Sequence, residues 1–262
     1  MPSCTSSCKI RLFADDTLAF HQITNSQDVS NFQEDLNSLA AWSETWQMNF
    51  NASKCEYMRI ERGQSSHSAH RYTFSGSILT PVSHIKYLGI NIDCNLSFDK
   101  HIQEMCSKAT RILHMLMRNL RKARTKTRAI AYKSLCRPIL EYASQSWSPY
   151  KKKHVTTIEA INRKAFHWAH SKRKRDSISA LMSSLDWQTL EERRISSDLK
   201  FYIRVSAGLS RADESTIVAT TNNRDHSRVG AIDRVLNTDA MRNVYKYRMH
   251  RYFNTMSSNA PV

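Results

Sequence analysis

Hydrophobic and polar residues alternate through residues 9–20, with Ile10 and Leu12 in one arm and Leu18 and Phe20 in the other. Period-two alternation of this kind predicts two short strands, each with one buried face. Asp15 and Asp16 lie between the arms, where a tight turn favours Asp. The period then lengthens. Asn25 and Ser26 offer a helix N-cap, and Phe32, Leu36, Leu39, Ala40 and Trp46 recur at three- and four-residue spacing. This predicts an amphipathic helix ending near Met48. Residues 49–58 read as a loop feeding a short strand, and 62–69 as an exposed Ser/His-rich loop. Three runs, 72–74, 77–79 and 86–92, read as strands. Gly89 in the last run allows close approach of another backbone or marks a bulge.

From Ser97, a plausible N-cap, the pattern is helical. Ile102, Met105, Cys106, Ala109, Ile112, Leu113, Leu116, Met117 and Leu120 form one apolar stripe, with Lys and Arg on the opposite side. A second helix is expected from about Thr127 to Ser144, kinked or divided at Pro138. A third, from Val155 to Ala169, turns Ile158, Ile161, Ala165 and Trp168 inward. Leu185, Asp186 and Trp187, followed by Leu190 and Glu191 to Arg194, start a fourth that reaches about Ala207. Beyond Gly208 the pattern weakens. Residues 211–229 read as loop, and 239–254 as a basic helix carrying Tyr245, Tyr247 and Tyr252.

Composition narrows the setting. The chain has 262 residues, 40% of them hydrophobic, enough for one or two domains with a core. No run approaches the roughly 20 apolar residues that span a bilayer, and the N-terminus lacks the apolar core of a signal peptide. Cys4, Cys8, Cys55, Cys94, Cys106 and Cys136 form no CxxC pair and no zinc-finger spacing. An intracellular protein of nucleus or cytoplasm with free thiols, neither secreted nor membrane-bound, is the expectation.

Net charge is +16, and its placement matters more than its size. Residues 97–175 hold 20 Lys/Arg and 4 Asp/Glu, so this block alone accounts for an excess of +16. Residues 1–96 come to −2 and residues 176–262 to +2. A basic block confined to one helical region suits a surface that tracks phosphates. A solvated helical face, or a scaffold for an acidic partner, is the alternative. Ser171 to Arg175 is a basic run read first as backbone contact or solvated loop and last as an import signal.

The candidate chemistry sits at the first hairpin, where two adjacent carboxylates make an oxygen-rich site suited to Mg²⁺ or Mn²⁺. Phe13-Ala14-Asp15-Asp16 resembles the Tyr/Phe-x-Asp-Asp box of reverse transcriptases, in the variant of non-LTR (LINE, jockey-type) retrotransposons. Trp46 through Met58 resembles the family's next box, a Trp-rich helix end followed by Asn-x-x-Lys and a strand. Tyr87-Leu88-Gly89 resembles the box called the primer grip. Residues 137–143, RPILEYA, followed by Trp147-Ser148-Pro149, resemble a stretch beyond the palm of jockey-type polymerases. The boxes fall in family order, and the resemblance covers roughly residues 9–207.

The resemblance implies an α+β chain: the C-terminal part of a reverse-transcriptase palm over 1–96, a basic helical thumb over 97–175, and a helical extension with a polar tail over 176–262. It implies RNA-directed DNA polymerase activity in the complete enzyme. Asp15 and Asp16 would be catalytic metal ligands, and Lys54 a cation near the incoming nucleotide triphosphate. Phe13, Tyr87, Leu88, Gly89, Lys151, Lys152, Lys153, Lys172, Arg173, Lys174 and Arg175 would contact a duplex of RNA template and DNA primer. Two-metal nucleotidyl transfer also needs an Asp from a neighbouring palm strand, which the family places upstream of this hairpin, and Phe13 has only twelve residues before it. Asp93 and Asp99 have no spacing that would substitute. The expectation is therefore a chain that does not polymerise alone, binds Mg²⁺ or Mn²⁺ weakly or not at all, and leaves an exposed sheet edge prone to association. A non-catalytic nucleic-acid-binding module built on the basic thumb is the alternative.

Overall fold

The computed structural model describes residues 4–60, 70–171, 182 and 185–209. The expected loop at 62–69, the basic run Lys172 to Arg175, the loop at 211–229 and the helix with Tyr245, Tyr247 and Tyr252 lie outside the described residues. The chain is α+β, with helices and short two-stranded sheets. It divides into two compact units, Met1–Ile85 and Lys86–Val262.

The first unit opens with the expected hairpin, β1 (Lys9–Phe13) and β2 (Asp16–Phe20). Its register pairs Ile10 with Ala19, Leu12 with Thr17, Arg11 with Leu18 and Phe13 with Asp16. The two arms therefore do not share one buried face. Directly paired residues lie on the same side of a sheet, so Ile10 and Leu12 face one way and Leu18 and Phe20 the other. Ile10 and Ala19 pack on the core beneath, while Leu12, Phe13 and Phe20 are 49%, 62% and 43% exposed.

Helix α1 (Ser26–Thr45) begins where expected. The Asn25 side chain accepts from the Asp28 amide and the Asp28 carboxylate accepts from the Asn25 amide, a reciprocal capping box. It buries Leu36 and Leu39 but ends at Thr45, leaving Trp46 65% exposed rather than in the stripe. The helix also buries a charged residue, Asp35. A 3₁₀ turn, Ala52–Lys54, leads to β3 (Glu56–Tyr57), which pairs in parallel with β6 (Thr80–Pro81). Between them, β4 (Thr73–Phe74) and β5 (Ser77–Ile78) form a tight antiparallel pair. Gln33 brackets Thr73, donating to its carbonyl at 2.8 Å and accepting from its amide at 2.9 Å. Tyr72, Phe74 and Leu79 complete a small core with Leu36 and Leu39.

Residues 86–92 are not one strand. They belong to a hairpin, β7 (His84–Tyr87) and β8 (Ile90–Asp93), joined by Leu88 and Gly89. Both loop residues have positive φ, +46° and +81°, the pattern of the primed turn that suits two-residue hairpin loops. Gly89 thus serves the turn itself. Asp93 then organises the loop into the next helix: its carboxylate accepts from the amides of Asn95, Ser97 and Phe98 and from the Ser97 hydroxyl. Ser97 is displaced from the N-cap by Phe98.

Helix α2 (Asp99–Asn119) buries Ile102, Met105, Cys106, Ala109, Leu113 and Leu116, the expected stripe. The second expected helix is divided more finely than Pro138 alone requires: α3 (Thr125–Ala131), a π-helical segment (Tyr132–Cys136), α4 (Arg137–Glu141) and α5 (Ser144–Trp147). Pro138 lacks an amide hydrogen and sits in the first turn of α4, where none is needed. The wider π turn just before it accommodates the break and points Tyr132 and Cys136 into the core.

Helix α6 (Lys152–His170) buries Ile158, Ile161, Ala165, Phe166 and Ala169, with Trp168 only half-buried. Helix α7 (Leu190–Ser206) starts three residues after Trp187, with Thr189 and Glu192 as a capping box. Asn162 knits these helices: its Oδ1 accepts from the Tyr132 hydroxyl and the Trp187 indole, each at 2.9 Å, and its amide donates to the Gln188 carbonyl. No helix among the described residues is long and apolar enough to cross a membrane.

Candidate active site and nucleic-acid interface

The hairpin tip presents the acidic pair differently from the sequence expectation. The two loop residues are Ala14 and Asp15, and Asp16 is the first residue of β2, opposite Phe13. Asp15 and Asp16 are both exposed. Among the described residues, neither side chain makes a hydrogen bond or ion pair, and no group of three or more His, Cys, Asp and Glu side chains could hold a metal ion. Two carboxylates supply only part of the six-oxygen shell of Mg²⁺ or Mn²⁺. The described residues do not by themselves fit such an ion. Ala14 has φ +53°, a conformation that costs a residue with a Cβ roughly 1–2 kcal/mol.

What fixes the hairpin is a residue that the sequence reading missed. The Asp35 carboxylate, buried on α1, accepts from the amides of Ser6, Ser7 and Cys8 at 2.8, 3.0 and 2.6 Å. It also accepts from the hydroxyls of Ser6 and Ser7 at 3.3 and 2.6 Å. Burial opposes its charge, but the Ser7 hydroxyl and the three amides outweigh burial and hold the carboxyl well below the usual carboxylate range. The segment leading into β1 is thereby tied to α1. A charged residue at a stripe position, three after Phe32, was the available signal.

Lys54 ends the 3₁₀ turn that Asn51 initiates by accepting from the Ser53 amide and hydroxyl. It is exposed and, among the described residues, has no side-chain hydrogen bond or ion pair. Phe13 is exposed at the hairpin tip.

In the second unit, Tyr87 and Leu88 are half-buried and Gly89 exposed at the β7–β8 tip. The hairpin is fastened to α2 through Asn91, whose amide donates to His101 Nδ1 and whose side chain donates to Glu104 at 2.6 Å. Tyr142 closes over the turn from the end of α4, its hydroxyl donating to the Leu88 carbonyl at 2.9 Å. The YLG and RPILEYA segments are thus in contact.

All four acids of the basic block are committed. Asp99 takes Lys151, Lys153 and His154 at 3.2, 3.6 and 2.7 Å. Its burial opposes the charge, yet hydrogen bonds from His154 and Lys151 hold the carboxyl below its ordinary value. Glu104 is bound to Asn91, Glu141 pairs with Arg137 and Arg193, and Glu159 accepts from the Glu191 amide inside the core. On the outer face of α2, among the described residues, Lys108, Arg111 and Arg118 are exposed and form no ion pair with a carboxylate. Beside it, Lys164 of α6 meets His114 at 2.7 Å. Lys152 is exposed, so Lys151 to Lys153 are partly engaged and partly open. Arg128 clasps the end of α6 through the Trp168 carbonyl and Ser171 hydroxyl, at the point where Lys172 to Arg175 begin.

The six cysteines are free. Burial pushes Cys106 up to about 11 and Cys136 up to about 12, which keeps both as inert thiols.

Similarity to curated proteins supports a reverse-transcriptase-related region in this chain. The chain is similar to the RNA-directed DNA polymerase from mobile element jockey of Drosophila melanogaster, 28% identical over 163 residues covering 59% of this chain and 17% of that protein. The corresponding protein of Drosophila funebris is 28% identical over 159 residues, with the same coverage. The "Probable RNA-directed DNA polymerase from transposon BS" of Drosophila melanogaster is 26% identical over 157 residues, 58% of this chain and 17% of that one. The chain therefore matches about a sixth of the length of these curated relatives. No family model and no solved structure matches it.

Proposed function

We propose that this chain is part of the reverse transcriptase of a non-LTR retrotransposon: the end of the palm over 1–96, a basic thumb over 97–175 and an extension over 176–262. The observation that carries the reading is the exposed Asp15–Asp16 pair at a hairpin tip, in a chain similar to jockey RNA-directed DNA polymerases. In this reading Asp15 and Asp16 contribute carboxylates to a divalent-ion site completed by other groups, and Lys54 supports the triphosphate of a deoxynucleotide. Phe13, Tyr87, Leu88 and Gly89 meet the primer–template. The exposed basic face of α2, with Lys151 to Lys153 and Lys172 to Arg175, holds its phosphates. Lys108 to Arg118 span about 15 Å at 1.5 Å per residue, roughly four phosphates along one strand. Alone, the chain is expected to grip a duplex without extending it, because two carboxylates do not complete the ion shell.

Primer extension on an RNA template with Mg²⁺ or Mn²⁺ tests this, alongside a gel-shift of the same duplex. The reading expects a salt-sensitive shift and no extension. Extension abolished by Asp15→Ala would show that a further residue completes the site. Extension indifferent to Asp15 and Asp16, or no duplex binding at all, would overturn the assignment.

A further inference from the structure

Leu88 is an unusual residue to find at the first loop position of a two-residue turn. Its φ of +46° is one that side-chain-bearing residues rarely adopt, and such conformations persist where surrounding structure over-determines them. The β7–β8 pairing asks for positive φ at both loop residues, and one side chain from outside the hairpin reaches the turn as well. Tyr142 donates its hydroxyl to the Leu88 carbonyl at 2.9 Å, and a Cβ placed on Gly89 would lie 3.5 Å from a ring carbon of the same tyrosine.

Tyr142 is itself fixed. Its amide donates to the Pro138 carbonyl at 2.9 Å, and its carbonyl accepts from the indole of the fully buried Trp147 at 2.7 Å. Ala143, with φ +48°, then turns the chain into α5. The buried indole thus anchors the backbone that carries the tyrosine, and the tyrosine carries the turn. Yet the Tyr142 side chain lies outside the core, with the residue 55% exposed, so core packing does not account for its placement.

We infer that Tyr142 is the positioning residue of the Leu88–Gly89 turn, a strut that gives the turn the shape in which it meets the primer–template. This rests on the reading of that turn as a duplex contact. The strut acts by restricting the turn. Without the hydroxyl, Leu88 leaves its positive-φ conformation more often, and the duplex must then select the competent shape from a broader set.

The test is Tyr142→Phe in the full chain, which removes the hydroxyl alone and keeps the ring over Gly89. Three quantities are compared with wild type: amide exchange of the segment around Leu88 and Gly89, thermal midpoint, and affinity for an RNA–DNA primer–template across a salt series. One hydrogen bond lost predicts about 2- to 12-fold faster exchange at the turn. Affinity should fall by a factor no larger than that, with the salt slope unchanged because no charge is removed. A near-constant midpoint should accompany both changes. A purely structural role would instead lower the midpoint and leave the affinity of the folded chain intact. Turn exchange that does not change, or a loosened turn with unaltered affinity, would overturn the inference. A wild-type chain that does not bind the duplex would overturn the underlying reading and the contact role with it, and is told apart because wild type and variant then fail alike.

Discussion

The anchoring of the acidic hairpin by Asp35 yields the sharpest prediction. An isolated two-stranded hairpin is marginal in water, and here only Ile10 and Ala19 pack on the core. Beside the contacts of His21 with the Ser7 carbonyl and the Phe32 ring, the main restraint is the carboxylate that gathers Ser6, Ser7 and Cys8 through five hydrogen bonds. Hydrogen bonds to a charged group contribute about 1.5–3 kcal/mol each and do not add. Ser6 is exposed and can recover water, whereas the Cys8 amide is buried. Counting the two 2.6 Å bonds and discounting for water, Asp35→Ala should cost about 3 kcal/mol of local stability. That is roughly a 150-fold shift in the opening equilibrium. Hydrogen exchange followed by mass spectrometry reads it directly: peptides covering residues 9–20 should exchange about two orders of magnitude faster, while α2 stays unchanged. The pH dependence has a definite sign. The Asp35 carboxyl titrates below its usual value in the folded chain, so the anchor is complete above about pH 4 and is lost as pH falls further. Asp35→Asn should abolish that dependence. Exchange of residues 9–20 within twofold of wild type in Asp35→Ala would refute the reasoning.

Ala14→Gly should stabilise the same hairpin, since relief of roughly 1–2 kcal/mol at φ +53° exceeds the entropic cost of glycine, about 0.5–1 kcal/mol; faster exchange at residues 9–20 would contradict this. Asn162→Ala leaves the buried Tyr132 hydroxyl and Trp187 indole without their shared acceptor and should cost about 2–4 kcal/mol in urea unfolding. Asp99→Asn releases Lys151, Lys153 and His154 and should tighten duplex binding and steepen its salt dependence, as titrations at several salt concentrations would show. The Asp99 carboxyl is also held below its ordinary value, so its ion cluster should persist above about pH 4 and loosen below it.

The long helices were legible because their periodicity is strong: the stripe from Ile102 to Leu116 is buried as the spacing demands, and Asn25 caps α1 as its type suggests. Local pattern failed where distant contacts decide. The arms of the first hairpin each alternate, but register sends their apolar positions to opposite faces, and register depends on the loop, Ala14–Asp15 rather than Asp15–Asp16. Lys86 to Ile92 looked like one strand because a Leu-Gly turn is apolar and lacks the usual Asn or Asp. Asp35, Asn162 and Tyr142 act on partners 25 to 54 residues away, beyond the reach of any local spacing. Of the candidate site, the adjacency of Asp15 and Asp16 was visible, and the contact of Tyr142 with Leu88 was not.

The most direct test of the central claim is the affinity of the full chain for an RNA–DNA primer–template as a function of salt, for wild type and for Lys108→Ala/Arg111→Ala/Arg118→Ala. Log affinity should fall linearly with log salt in both, and the triple variant should bind more weakly with a slope shallower by about 0.9 for each phosphate contact removed. Affinity indifferent to salt, or a triple variant that matches wild type at every salt concentration, would contradict a thumb that grips nucleic acid through α2.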